Sequence, residues 1–303
     1  MPTLYVDRTV SDDCRRRSLY DGDLYTHSTN PGAEGLCGLA RELSERAFAP
    51  HDPEVAQESM GVEDYVAVLA ELKPAFIHHP DAKAHIRDML DALGCDLDKT
   101  YFDVPRLRTM AHGDYLKAGL ALQFHAHRDT WFSAPQQQIN WWLPVYAIEA
   151  ENSMAFHPRY FGVEVANSSA GYDYEEWNRT GRKQASQNVA TETREQPRPQ
   201  EPLDLSSEVR VVTPVSGVLM FSAAQLHATV PNTTSRTRFS IDFRTVNIDD
   251  LVEGIGAQNV DASCTGTTLG DFMRVSDLAP LPEQLVSAYD RPRHQPAIEA
   301  VLS

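Results

Sequence analysis

The chain has 303 residues, enough to bury a sizeable core, and its 42% hydrophobic and 23% charged content is that of a soluble globular protein. With 27 basic against 43 acidic residues the net charge is -16, which argues against nucleic acid or an anionic membrane as partner, since both reward clustered Lys and Arg. Four scattered cysteines (Cys14, Cys37, Cys95, Cys264) form no CxxC, so zinc-ribbon and thioredoxin readings lack support; with no apolar leader or membrane-length run, a cytoplasmic chain with free thiols is expected.

Residues 1–35 are polar, with Gly and Asn-Pro signals, and read as a loop-rich entry. Apolar residues at three- and four-residue spacing predict helices over 36–48 and 62–76, and a third from His79-Pro80-Asp81 to Gly94. After about Tyr101 short β-rich runs dominate: VPRLRTM, GLALQFHAH, QQINWWLPVYAI, SMAFH, EVRVVT, GVLMF and RFSIDFRTV. The polar stretch of about 166–205 interrupts them and reads as a helical insertion plus a flexible segment, placed to act as a lid. Helices first and strands later, without βαβ alternation, predict an α+β chain with a mainly β core closed as a sandwich or barrel. A single domain is expected over 1–303: a helical part to residue 100, a β core over 101–247, and an extension over 248–303.

Two segments carry chemistry. GLALQFHAHRD delivers a His-x-Asp, and SGVLMFSAAQLHATVPNTTSRTRFSIDFR delivers one His followed by Arg-x-Ser. Two imidazoles and one carboxylate are the ligand set of an open non-haem Fe(II) site. The His-x-Asp pattern alone is weak, because the chain holds three. His79-Pro80-Asp81 sits at a helix start, where Asp81 suits the N-terminus, and His112-Gly113-Asp114 reads as a turn. Only His127-Arg128-Asp129 follows an apolar strand. Alternation there puts Gln123, His125 and His127 on one face, which suits either solvent or a hydrated cavity. From Arg236 a second strand alternates strictly: Arg236, Arg238, Ser240, Asp242 and Arg244 against Thr237, Phe239, Ile241 and Phe243. The polar face either meets water or lines a barrel; in the second case Arg238 can hold a dicarboxylate bidentately, with Ser240 adding a hydroxyl.

The string G-x-L-x-F-x-x-x-x-x-H-x-T-x-x-N with R-x-S after the His resembles the distal half of phytanoyl-CoA dioxygenase-like Fe(II)/2-oxoglutarate oxygenases. The likeness covers roughly 100–247; His127 and Asp129 match the proximal His-x-Asp, and NWWLPVYAIEAENSMAFHP resembles the central strands. Asn152-Ser153 and Pro158 match the Asn-Gly…Pro-Gly-Ser-His stretch only partly, with Arg159-Tyr160 in place of Gly-Ser. The resemblance implies a double-stranded β-helix (jelly-roll or cupin-like) with packed N-terminal helices and an inserted lid. It implies iron on His127, Asp129 and His227. It also implies 2-oxoglutarate on Arg238, assisted by Ser240 or Thr229 and bordered by Trp142, with O₂ as second cosubstrate. Related halogenases replace the carboxylate with a small residue, so Asp129 favours hydroxylation or another C–H oxidation, yielding succinate and CO₂. A small polar metabolite or natural-product intermediate is the expected substrate.

Other patterns weigh less. HRD is not a kinase catalytic loop, since the downstream Asn, the DFG and a Gly-rich loop are missing. His125-x-His127 could instead be a ligand pair in a cupin-like metal-binding protein or a 2-oxoglutarate-independent metalloenzyme, which leaves Arg-x-Ser unexplained. Gln123 and His125 fit pocket positions. Among Trp131, Phe132, Trp141 and Trp142, a core feature by composition, Trp142 and Trp131 are candidates for the pocket. Within YDYEEWNRTGRK, which reads as an exposed helix or a lid, Tyr174, Trp177 and Arg179 are candidate substrate contacts.

Overall fold

The computed structural model describes residues 2–113, 115–116, 125–181 and 196–290. Its first third runs β1 (Leu4–Val6), α1 (Asp12–Tyr20), β2 (Leu24–His27), α2 (Pro31–Phe48), α3 (Val62–Ile77) and α4 (Pro80–Ala92). Strands follow: β3 (Thr100–Phe102), β4 (Arg106–Met110), β5 (Ile139–Pro144), β6 (Met154–Phe156), β7 (Val209–Val211), β8 (Val218–Ser222), β9 (His227–Thr229) and β10 (Arg238–Asn247). The described C-terminal part adds α5 (Ile248–Glu253), β11 (Met273–Arg274) and α6 (Glu283–Tyr289).

The long β10 organises these strands. One edge pairs antiparallel with β5; the other pairs with β4 along its first half and β3 along its second. The large sheet has the order β1-β2-β8-β5-β10-β3-β11, with β4 beside β10, and a small sheet has the order β7-β6-β9. Period-2 alternation then sorts the side chains. Phe239, Ile241 and Phe243 of β10, with Trp141 and Leu143 of β5, pack outward against the apolar stripes of α2 and α3 in the main core. Trp142, Leu219 and Phe221 point the other way and meet Met154, Phe156 and Val211 of the small sheet. The result is an α+β molecule with a mainly β core, helices on one face of the large sheet and the small sheet on the other.

The expected helices form. α2 is capped by Asn30, whose side chain accepts from the Ala33 N–H at 3.0 Å, and Pro31 fills the first turn. α4 is capped by the His79 imidazole, which accepts from the Asp81 N–H at 3.3 Å, with Asp81 in the first turn. The loop-rich reading of 1–35 is corrected. That stretch holds β1, α1 and β2, and β2 extends the large sheet by pairing with β8. Three- and four-residue strands are too short for a periodic signal, and α1 is held by charge pairs such as Arg17–Asp13 at 3.0 Å more than by an apolar stripe. Among the described residues of the insertion, helix is limited to a 3-10 turn at Ser169–Gly171, a turn at Tyr174–Glu176 and a π-helical turn at Trp177–Gly181; the end of the expected helix over 172–183 lies outside the described residues. Most of GLALQFHAH also lies outside them. Beyond β10, Leu251, Leu269, Phe272 and Leu281 bury Tyr101 and Val246. No helix among the described residues is long and apolar enough to cross a membrane.

Candidate metal centre

Backbone pairing brings the two chemistry-bearing segments together. The His127 N–H donates to the His227 carbonyl at 2.9 Å and the His227 N–H donates back at 3.0 Å, a single antiparallel bridge. The Asp129 N–H donates to the Ala223 carbonyl at 3.0 Å, fixing the turn after His127. Ligand atoms of His127, Asp129 and His227 lie within 4.8 Å of one another. Asp129 Oδ1 stands 3.4 Å from His127 Nε2 and 3.8 Å from His227 Nε2. Phe156 and Phe221 flank the His227 ring.

The surrounding hydrogen bonds choose which atoms remain for a ligand. His127 Nδ1 meets the His125 carbonyl at 2.7 Å, and His227 Nδ1 meets the Gln225 carbonyl at 3.0 Å. With Nδ1–H committed to a carbonyl, each Nε2 carries the lone pair. Asp129 Oδ2 accepts from Asn140 at 2.8 Å and from Gln138 at 3.3 Å, so Oδ1 is the oxygen turned toward the imidazoles. Burial, reinforced by His127, pushes His227 down to about 4. Burial pulls the Asp129 carboxyl up, but the close approach of His127 and His227 and the Asn140 amide hold it at about 2. Near neutral pH the trio therefore offers a neutral His227 and an ionised carboxylate, the forms a divalent cation takes. Two imidazole nitrogens and one carboxylate oxygen, converging from one side, fit Fe(II) with positions to spare.

Further along the same inner face lies Arg238, 6% exposed. Its Nη1 donates to the carbonyls of Asn152 (2.9 Å) and Ser153 (3.3 Å), and its guanidinium lies over the Trp142 ring at 5.5 Å. Its buried Nε has no hydrogen-bond partner, nor has the buried Ser240 Oγ two residues on. No carboxylate among the described residues forms an ion pair with Arg238, and burial lowers its guanidinium to about 10. An uncompensated buried charge costs several kcal/mol, so the position suits an incoming anion. Thr229 is two residues beyond His227 on β9, hence on the same face, and half-buried.

The remaining sequence-derived candidates divide. His125 is exposed and lends its carbonyl to His127, and Gln123 lies outside the described residues. Trp131 is fully buried, its N–H donating to Asp261 at 2.7 Å. Tyr174 is buried and donates its hydroxyl to Asp271; Trp177 is half-buried, its ring 5.9 Å from that of Tyr172. Arg179 is on the surface beside Glu176.

Sequence reasoning missed four residues. Gln138 and Asn140 hold Asp129, and their signal was alternation, which sets Asn140 on the face of Trp142. Arg128, between two ligands, is 1% exposed. Its guanidinium donates to Asp261 at 3.0 Å, to the Tyr160 and Val163 carbonyls at 2.7 and 2.8 Å, and to the Ala224 carbonyl. No local signal pointed to Asp261, more than a hundred residues away.

No family model matches the chain, and no curated protein matches its sequence. Among solved structures it is similar to EvdO2 from Micromonospora carbonacea var. aurantiaca complexed with 2-oxoglutarate (12% identity, 80% of this chain and 93% of that one, TM-score 0.44). It is also similar to the epimerase SnoN in complex with Fe3+, alpha ketoglutarate and nogalamycin RO (12%, 78% and 85%, TM-score 0.40). A third is the apo form of the non-heme monooxygenase ThoJ (14%, 73% and 71%, TM-score 0.38). Likenesses this distant say nothing of the present chain's chemistry, which rests on its own residues.

Proposed function

We propose that this chain is an Fe(II)/2-oxoglutarate-dependent oxygenase of the phytanoyl-CoA dioxygenase-like type, oxidising a C–H bond of a small molecule. One observation carries the reading: a buried His127–Asp129–His227 trio shares an inner sheet face with an uncompensated Arg238 and an unpartnered Ser240. The first set holds a divalent metal; the second meets the far carboxylate of a dicarboxylate. Strand order supports it too, because β4-β10-β5-β8 facing the His127 bridge, β9, β6 and β7 is the pairing of a double-stranded β-helix.

Bound at the trio, iron with 2-oxoglutarate and O₂ supplies the oxidising power for C–H cleavage, with release of succinate and CO₂. The protein's own part is placement. His127 and His227 present Nε2, while Asn140 and Gln138 keep Asp129 turned inward. Arg238, stacked over Trp142, and Ser240, with Thr229 on the facing strand, fix the cosubstrate's remote end. The insertion carrying Tyr174 and Trp177 is proposed as the lid over the substrate. Partners are small molecules, neither nucleic acid nor membrane. The test is succinate release from 2-oxoglutarate by purified, Fe(II)-loaded protein across acid, sugar-like and amino-acid candidates. Stoichiometric succinate with an oxidised product is expected. Fully loaded protein that neither binds nor turns over 2-oxoglutarate would leave a cupin-like binding protein as the better account.

A further inference from the structure

A second charged constellation occupies the inner face of the large sheet. Arg244 of β10 lies directly opposite Asn140 of β5, and opposite residues in an antiparallel pair project to the same face. Asn140 turns that face toward the metal ligands, donating to Asp129 Oδ2 at 2.8 Å. The neighbouring pair, Trp141 and Phe243, stacks at 5.6 Å on the opposite, helix-covered face, as alternation demands. Arg244 therefore faces the same side of the sheet as the metal ligands, one strand away from the residue that holds Asp129.

Its guanidinium is anchored but not used up. Asp103, 2% exposed, accepts from Arg244 Nη1 at 2.9 Å, from the Arg244 backbone N–H at 2.8 Å and from Arg106 Nη1 at 2.6 Å. One sealed carboxylate thus fixes two arginines. Arg244 Nη2 comes no closer than 3.9 Å to Asp242, which Arg108 holds at 2.5 Å. Each guanidinium offers five N–H donors, so among the described residues Arg244 Nε has no acceptor and Nη2 has only the distant Asp242. The Arg244 and Arg106 side chains are 22% and 21% exposed, open enough to be reached. Tyr174 and its partner Asp271 lie close enough to act on Arg106 electrostatically, which places Tyr174 near this wall.

Resting on the oxygenase reading above, we propose that Arg244, backed by Arg106 and fixed by Asp103, docks a carboxylate of the substrate. The substrate class is then an organic acid, with the oxidised carbon lying between its carboxylate and the metal. The site is separate from Arg238: β10 puts five residues between the two arginines, and Asp242 and Trp142 lie between them on the same face.

The test uses Co(II)-loaded protein saturated with 2-oxoglutarate and reads the paramagnetic relaxation of benzoate and benzamide protons. Benzoate should show saturable relaxation with at least tenfold higher affinity than benzamide. Arg244→Gln should weaken benzoate about tenfold and leave benzamide alone. Arg244→Lys, which keeps a charge for Asp103 but loses the fork, should weaken benzoate about threefold. Benzoate binding no better than benzamide, or undiminished in Arg244→Gln, overturns the proposal. If Arg244→Gln does not fold, Arg244→Lys and the wild-type acid–amide contrast decide. Failure of the wild-type protein to take up Co(II) or 2-oxoglutarate, measured in the same samples, overturns the oxygenase reading itself and this proposal with it.

Discussion

His157 follows β6 with its ring 1% exposed and neither nitrogen hydrogen-bonded. Burial holds its pKa below the ordinary value, against the pull of Glu208. A histidine that is harder to protonate in the fold than in the unfolded chain favours folding above its unfolded pKa, roughly 6.5, and opposes it as pH drops below that value. The urea midpoint should therefore fall between pH 7 and pH 5, and His157→Phe, similar in shape but without a titrating group, should fall less. Equal slopes for the two proteins would locate the acid sensitivity elsewhere. His157 also marks the limit of sequence reading at this scale. Ligand chemistry was legible, because His127, Asp129 and His227 have few other reasons to occupy apolar strands. Satisfaction of polar atoms was not, since whether a side chain such as Arg128 finds partners depends on residues far away in the chain.

Elements were legible where periodicity had room to repeat. α2, α3, α4 and the alternation of β10 all run long enough, and all were anticipated; β1, β2 and α1 were not. What periodicity did not reveal is how closely elements approach. Gly32 of α2 is packed so tightly on α4 that an added Cβ would fall 2.2 Å from the Met89 backbone N and 2.7 Å from the His85 carbonyl. Backbone cannot yield as a flexible side chain can, so Gly32→Ala must push the helices apart, despite alanine's better helix propensity. A loss of about 3 kcal/mol, at the upper end of overpacking costs, is expected from urea denaturation. Gly38, on the same helix with open space around its Cβ position, is the control, and Gly38→Ala should be neutral or mildly stabilising.

Across the whole molecule, the segment beyond β10 is tied into the metal centre. Asp261 accepts from Arg128 and from Trp131, the residues flanking Asp129 and its turn, and from the Val165 N–H at 3.1 Å. An Arg–Asp pair with both side chains 1% exposed is costly to break on one side and cheaper to replace as a unit. Asp261→Leu alone should lose about 3 to 5 kcal/mol of stability, and Arg128→Met combined with Asp261→Leu should recover a substantial part of that loss. Additive losses would mean the two groups act independently. Nothing local in the sequence announced this tie, because Arg128 and Asp261 lie more than a hundred residues apart.

The central claim is that the trio holds iron and Arg238 holds the far carboxylate of 2-oxoglutarate. An anaerobic titration of Fe(II)-loaded protein with 2-oxoglutarate, following the visible metal-to-ligand charge-transfer absorption, tests both parts together. Wild-type protein should bind one equivalent of iron and develop the band on adding 2-oxoglutarate. Arg238→Ala should keep the iron but need on the order of a hundredfold more 2-oxoglutarate, as loss of a charge-assisted bidentate contact implies. His227→Ala retaining iron, or Arg238→Ala titrating like the wild type, would contradict the account.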